Sequence, residues 1–210
     1  MSLSKVLVSL TTPRMVWGNT VKSFVDMAKY MGERVDFNVV VGCEISVARN
    51  SACAETIKSG YKGLCMIDSD QTFPPDALEV LIQKDKDIIG YVIRASKVEC
   101  LNMGNLVSDR PYQQNALREY PENSTFEVGW IGDGFIYIKR EALLRIPYPW
   151  FNLHYTKDDK GRDWRLHSDF YFSLKAKEAG VSIWACSERK IGHLTVMEKF
   201  PPMNSEIKEK

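Results

Sequence analysis

Paired cysteines are missing from this chain. Its five cysteines, Cys43, Cys53, Cys65, Cys100 and Cys186, are odd in number and scattered, with no Cys-x-x-Cys spacing. Neither a disulfide framework nor a thiolate zinc site is indicated, and a reducing compartment follows. No uninterrupted apolar run reaches membrane length, and the first ten residues hold Lys5 and a short apolar run without the core of a signal peptide. The expectation is a cytoplasmic protein with no membrane segment. Charge of one sign is not in excess: Lys+Arg 28 stand against Asp+Glu 27, for a net +1. No global field therefore favours nucleic acid or an anionic membrane, although a local basic patch is compatible with this balance. No Gly-x-Gly-x-x-Gly follows the first apolar run, which disfavours a dehydrogenase. No Gly-x-Ser-x-Gly elbow occurs, which disfavours a serine hydrolase. Internal repeats, low-complexity tracts and a domain linker are absent as well.

What is present is an ordinary globular composition, 44% hydrophobic and 26% charged, in 210 residues, enough to bury a sizeable core. Val6 to Leu10 reads as a core strand stopped by Thr11-Thr12-Pro13. Asn19 to Met31 carries Val21, Phe24, Val25, Ala28 and Met31 at helical spacing, with Asn19 as candidate cap and Gly32 as stop. Phe37 to Gly42 reads as a second strand, Ser46 to Ser59 as a helix with Val47, Cys53, Ala54 and Ile57 inward, and Asp87 to Ile93 as a further strand. Strands alternating with helices predict an α/β sheet, mainly parallel, through right-handed crossovers. From Arg94 to Phe126 the pattern dissolves into a long polar loop, and Pro147 to Trp164 reads as a second loop, rich in aromatics. Between them, Gly132-Asp133-Gly134 joins two strand-like runs and allows close backbone approach. A last helix is predicted over Ser168 to Ala179, then a strand from Val181 to Ala185 and the segment Ile191 to Leu194.

The stretch around which the rest is organised is Leu64-Cys65-Met66-Ile67-Asp68-Ser69-Asp70. Four apolar residues read as a strand buried on both faces, running into two carboxylates one residue apart. In an extended chain Asp68 and Asp70 point the same way, so both can reach one hard, oxygen-seeking cation such as Mg2+ or Mn2+. The plainer alternative is a polar turn that caps a helix over Pro75 to Gln83. In parallel sheets ligands gather beyond the carboxyl ends of the strands, where Thr11, Thr12, Gly42 to Ser46, Asp68 and Asp70 would meet.

Asp68-Ser69-Asp70, Gly132-Asp133-Gly134-Phe135, Ser168-Asp169, Ala48-Arg49-Asn50 and the late Gly192-His193, in this order, give the chain a resemblance to the GT-A glycosyltransferases. It is similar in particular to the family 2 type and its small viral versions, over about Val6 to His193. The resemblance implies a three-layer α/β/α sandwich with a mainly parallel central sheet. It implies one domain over 1–210, with a nucleotide-sugar-binding half (1–95), an acceptor and catalytic half (96–195) and a tail (196–210). It further implies a nucleotide-diphospho-sugar donor held through Mn2+ or Mg2+ by Asp68 and Asp70, with Asp70 the main ligand and His193 joining the metal shell. Thr11, Thr12 and Pro13 correspond to the loop flanking the nucleoside, Ser69 lies within the donor motif, and Arg49 approaches ribose or phosphates. Gly132, Asp133 and Gly134 would contact the acceptor or the sugar. Asp169 corresponds to the base that deprotonates the acceptor hydroxyl in an inverting displacement. The acid that precedes it in the family is Ser168 here, and the family's base-reading Asp is absent from Val41-Gly42-Cys43-Glu44, leaving Glu44 as a substitute.

Plainer roles stand beside these: a structural His193, a dipole-favouring Asp169, an ion-paired Arg49 and a turn residue at Asp133. Rival functions are a non-catalytic sugar-nucleotide or carbohydrate-binding module and a retaining glycosyltransferase. A nucleotidyltransferase is disfavoured because Thr11 to Asn19 holds one Gly and one Arg, too few for a triphosphate loop. The acceptor is open between a glycan, a coat protein and a modified DNA base. A homodimer and, for a viral chain, the host cytoplasm complete the expectations.

Overall fold

The structure is a computed structural model that describes residues 5–12, 15–94, 101–107, 110–157, 161 and 163–194. Pro13 and the tail from 195 onward lie outside the described residues. The chain begins with β1 (Val6–Thr12), α1 (Gly18–Met31), β2 (Val35–Val41), α2 (Ile45–Lys58) and β3 (Gly63–Asp68). A two-residue β4 (Gln71–Thr72), α3 (Ala77–Gln83) and β5 (Ile88–Tyr91) follow. Then come β6 (Met103–Val107), β7 (Arg110–Ala116), β8 (Thr125–Val128), β9 (Trp130–Ile131), β10 (Phe135–Lys139) and α4 (Arg140–Arg145). The last elements are β11 (His154–Lys157), β12 (Asp163–Leu166), α5 (Ser168–Glu178), β13 (Ile183–Cys186) and β14 (Gly192–His193).

Seven strands form the central sheet in the order β2-β1-β3-β10-β5-β13-β8. β2, β1 and β3 run parallel, as do β5 and β13, while β10 enters antiparallel between β3 and β5 and β8 closes the far edge antiparallel. Successive side chains of each strand feed opposite layers. Leu7, Leu64, Met66, Ile136 and Ile138 pack with Ala52 and Cys53 of α2, Leu143 of α4 and Phe172 of α5. Val8, Cys65, Ile67, Phe135 and Tyr137 pack with Met27 of α1 and Leu78 and Leu81 of α3. The three-layer α/β/α arrangement is thus built from apolar runs buried on both faces. Among the described residues no helix is long and apolar enough to cross a membrane.

Several expectations change. Helix α1 starts at Gly18, after Trp17, so Asn19 is not its cap. Its buried face is Thr20, Ser23, Met27 and Met31, and the Val21 and Val25 expected inside are 47% and 45% exposed. In β2, the edge strand of the sheet, Phe37, Val39 and Val41 are exposed too. Phe24 bridges the two, edge-on to Phe37 at 6.1 Å. The polar stretch after Arg94 is not all loop, since β6 and β7 pair in an antiparallel hairpin that β9 extends. Likewise β11 and β12 form a hairpin within the aromatic segment. Backbone hydrogen bonding supplies these ladders without the apolar alternation that would reveal them.

Candidate functional site

The site lies at the carboxyl ends of β1 and β3. Strand β3 ends at Asp68, whose N–H donates to the Gly134 carbonyl at 2.9 Å. The chain then turns through Ser69 and Asp70 into β4. This turn is held on both sides: the Trp17 N–H donates to the Ser69 carbonyl at 3.2 Å, and the Leu194 N–H to the Asp70 carbonyl at 2.8 Å. Pairing of β14 with β4 sets His193 opposite Gln71 in register, which brings the imidazole Nε2 to 3.3 Å from Asp70 Oδ2. His193 Nδ1 lies 2.9 Å from the Arg94 carbonyl. Gln71, 2% exposed, donates from Nε2 to Asp70 Oδ1 at 3.0 Å. Asp70 is therefore oriented by one amide and one imidazole.

Asp68 turns elsewhere. Arg49, from the inward face of α2, is 4% exposed and places Nη2 3.3 Å from Asp68 Oδ1 and 2.7 Å from Asp133 Oδ1. Its Nη1 donates to Ser168 Oγ at 2.9 Å. The two acids of the Asp-Ser-Asp turn thus have different protein partners, because the extended backbone ends at Asp68. Among the described residues no three His, Cys, Asp or Glu side chains converge as a ready metal cage. Asp68, Asp70 and His193 do not stand together as the expected triad.

One guanidinium here serves several acids. Burial opposes the Arg49 charge, but Asp133, Asp68 and Asp169 outweigh it and hold the group protonated. Asp133, 5% exposed, has its carboxyl pushed up to about 8, chiefly by burial, with Arg49 opposing and Asp169 and Asp68 adding. Its Oδ2 has no hydrogen-bond partner among the described residues. Burial likewise raises Asp68, against Arg49 and with the help of Asp70 and Asp169. The acids outnumber the cation, and an orphaned oxygen stands among them. Such a set takes up protons, a cation or hydroxyl donors.

Asp169 sits in the first turn of α5. Its Oδ1 accepts the Phe170 N–H at 2.8 Å, and no side-chain bond caps that helix from His167. The same residue lines a cavity of about 310 Å³ together with Asp133, Arg49, Ser168, Arg165 and His167. Asn50, beside Arg49, ties α2 to the Trp150–Phe151 loop: its Oδ1 accepts the Trp150 and Phe151 N–H groups at 3.0 and 3.1 Å, and its Nδ2 donates to the Phe151 carbonyl at 2.7 Å. The Phe151 ring stacks on Phe172 and lies 5.9 Å from the Arg49 guanidinium.

Other expected residues are placed as follows. Thr11 and Thr12 are buried, Thr11 in register beside Asp68 and Thr12 donating from Oγ1 to the Met15 carbonyl at 2.6 Å. Glu44 caps α2 by accepting the Ser46 and Val47 N–H groups and lines the cavity, so its carboxylate is engaged locally. Gly132 passes Asn102, where an added Cβ would lie 3.1 Å from the Asn102 Cβ, and Gly134 passes Asp68 and Gln71. Gln71, Arg165 and His167 were not singled out from the sequence. Only their nearness to Asp70 and Asp169 in the chain offered a signal.

No family model matches the chain, and no curated protein matches it in sequence. Solved structures do. A197 from STIV is similar over 91% of this chain and 86% of its own, with a TM-score of 0.63 at 18% identity. GalNAc-T7, solved with UDP, GalNAc and Mn2+, is similar over 94% of this chain, with a TM-score of 0.57 at 12% identity. The fold is GT-A-like. This chain spans 45% of the GalNAc-T7 chain. At these identities the likeness fixes the arrangement of layers and strands, and the GT-A-like sheet delivers Asp68, Asp133 and Asp169 to one end of itself.

Proposed function

We propose that this protein is a metal-dependent glycosyltransferase that moves a sugar from a nucleotide-diphospho-sugar to an acceptor hydroxyl. The observation that carries the reading is the meeting of Asp68, Asp133 and Asp169 around Arg49, with Asp70 and His193 on the adjoining turn, at the carboxyl end of a GT-A-like sheet. The neighbour solved with UDP, GalNAc and Mn2+ supports this choice of donor and metal. In this reading residues 1–95 bind the donor and 96–195 present the acceptor, within one domain in the cytoplasm.

The donor set suits a hard divalent ion: carboxylates and one imidazole, oriented by Gln71, beside an excess of negative charge. Asp70 and His193 would hold it, with Asp68 kept at its edge by Arg49. When bound, the ion supplies positive charge against the charge that builds on the departing nucleoside diphosphate. Asp169 takes the proton of the acceptor hydroxyl within the 310 Å³ cavity, giving inversion. Asp133, with its unpartnered Oδ2, accepts a hydrogen bond from a sugar hydroxyl. Thr11, Thr12 and Pro13 flank the nucleoside.

Calorimetric titration of UDP, GDP, CDP and dTDP, with and without Mn2+, tests this reading on the wild type and Asp70→Ala. One nucleotide should bind only with metal and lose binding in the variant. Binding indifferent to both metal and mutation would remove the reading's main support.

A further inference from the structure

A second and larger cavity, of about 840 Å³, opens where the chain leaves the parallel strands β5 and β13. It is separate from the 310 Å³ cavity and shares no lining residue with it. Its apolar lining is Val92, Leu101 and Ile191, and four cations, Arg94, Arg118, Arg189 and Lys190, face two acids, Glu122 and Glu188. The pairing around it is uneven. Arg189 is spent: Nε and Nη2 clasp the Asp76 carboxylate and Nη1 donates to the Glu188 carbonyl. Glu188 is paired with Lys84. Arg118 and Lys190 have no ion-pair or hydrogen-bond partner among the described residues, which leaves the lining with positive charge in excess of Glu122.

The wall that carries Tyr120, Glu122 and Asn123 is fixed in place. Ser187 donates from Oγ to the Pro121 carbonyl at 2.7 Å and accepts the Ser124 N–H at 3.0 Å. Its own N–H donates to the Ser124 carbonyl at 2.9 Å. Asn123 completes the turn in the left-handed region at φ 48. The cavity adjoins the acid turn, because the Arg94 carbonyl contacts His193 Nδ1 and His193 Nε2 contacts Asp70. Whatever lies in it lies beside the candidate transfer site.

Arg118 and Lys190, both exposed, line one cleft of small-molecule size, and a guanidinium and an ammonium there suit a phosphate group, bound by charge-assisted hydrogen bonds. An aromatic wall such as Tyr120 suits the face of an attached ring. We propose that this cavity binds the phosphate of a small phosphorylated acceptor, and that Arg118 and Lys190 are the residues that select it. The acceptor assignment rests on the transferase reading above; the phosphate site itself does not.

Two arms test the proposal on the full chain. In the first, inorganic phosphate is titrated in EDTA at constant ionic strength while backbone amide shifts are followed by NMR. Saturable shifts are expected at Ser187 to Ile191, unaltered by Asp70→Ala and weakened about tenfold or more in Arg118→Ala/Lys190→Ala, the loss of at least one charge-assisted bond. Absence of these shifts, or equal binding by the double variant with an intact spectrum, overturns the proposal. In the second, sugars are offered as acceptors with and without a phosphate, and donor hydrolysis is recorded alongside. Preference for the phosphorylated member, lost in the double variant with hydrolysis unchanged, is expected. Phosphate binding with no such preference overturns the acceptor assignment and indicates a site for free phosphate. Absence of any donor turnover counts against the transferase reading, while the NMR arm still reads the phosphate site.

Discussion

Arg49 Nη2 and Asp133 Oδ1 meet at 2.7 Å with side chains only 5% and 7% exposed. A helix and a strand-to-strand turn, separated by more than eighty residues of sequence, are joined by this buried contact. The same guanidinium reaches Asp68 and Ser168, so one side chain joins the end of β3, the glycine-flanked turn and the start of α5.

Removing that side chain is expected to destabilise the protein strongly. Arg49→Met leaves buried acids without their cation and should cost about 3–5 kcal/mol in chemical denaturation. Adding Asp133→Asn should recover part of the loss, since the second change removes a carboxyl that has lost its cation. A double variant as unstable as the sum of the singles would contradict the coupling.

The pH dependence follows from Asp133, whose carboxyl rises from 3.8 to about 8. The folded state then holds a proton that the unfolded chain has released. Its contribution to stability is full below about pH 4 and is lost as pH rises through 8. Carboxylates held down at the surface, Asp36 by Lys5, Asp76 by Arg189 and Glu79 by the Tyr30 hydroxyl and then Arg34, act at lower pH with the opposite sign. Unfolding midpoints measured from pH 5 to 8.5 should decline, and the slope should flatten in Asp133→Asn. An equal slope in the variant would place the titrating group elsewhere.

Asp169→Asn separates chemistry from binding. Loss of the base should reduce transfer about 10²–10⁴-fold while metal-dependent nucleotide binding in calorimetry stays within twofold of wild type, about the scatter expected for a change that leaves donor contacts intact. Unchanged transfer would assign the proton to another group.

Asn50→Ala tests how α2 holds the Trp150–Phe151 loop. Three hydrogen bonds to the Trp150–Phe151 backbone disappear, and the freed groups should cost about 1–3 kcal/mol. Amide exchange at Phe151 should speed up more than exchange in β3. Uniform acceleration across the sheet would mean that the loop is held by other contacts.

The sheet was legible because β1, β3 and β5 are short apolar runs that need cover on both faces. Antiparallel entry of β10 was not legible, since pairing with both β3 and β5 depends on contacts far apart in sequence. Asp68, Asp70, Asp133 and Asp169 stood out as acids beside apolar runs or at a helix start. Burial of Arg49 did not, because the inward face of α2 mixes Ala48, Arg49, Ala52, Cys53 and Thr56 and carries no apolar stripe. Arg110–Ala116 holds Arg110, Gln113, Gln114 and Asn115 and shows no apolar alternation, and its ladder comes from the backbone. His193 reached Asp70 only through the pairing of β14 with β4, two residues long.

Edge strand β2 carries one further consequence. Phe37, Val39 and Val41 are exposed along a strand that, among the described residues, pairs with β1 alone. No proline or lysine interrupts Val35–Val41, and Asp36, paired with Lys5, is the one charge on a strand otherwise open to the addition of another. Self-association in concentrated solution is therefore expected to begin at this margin of the sheet. A single lysine at position 39 should delay turbidity on storage, checked by light scattering against the wild type.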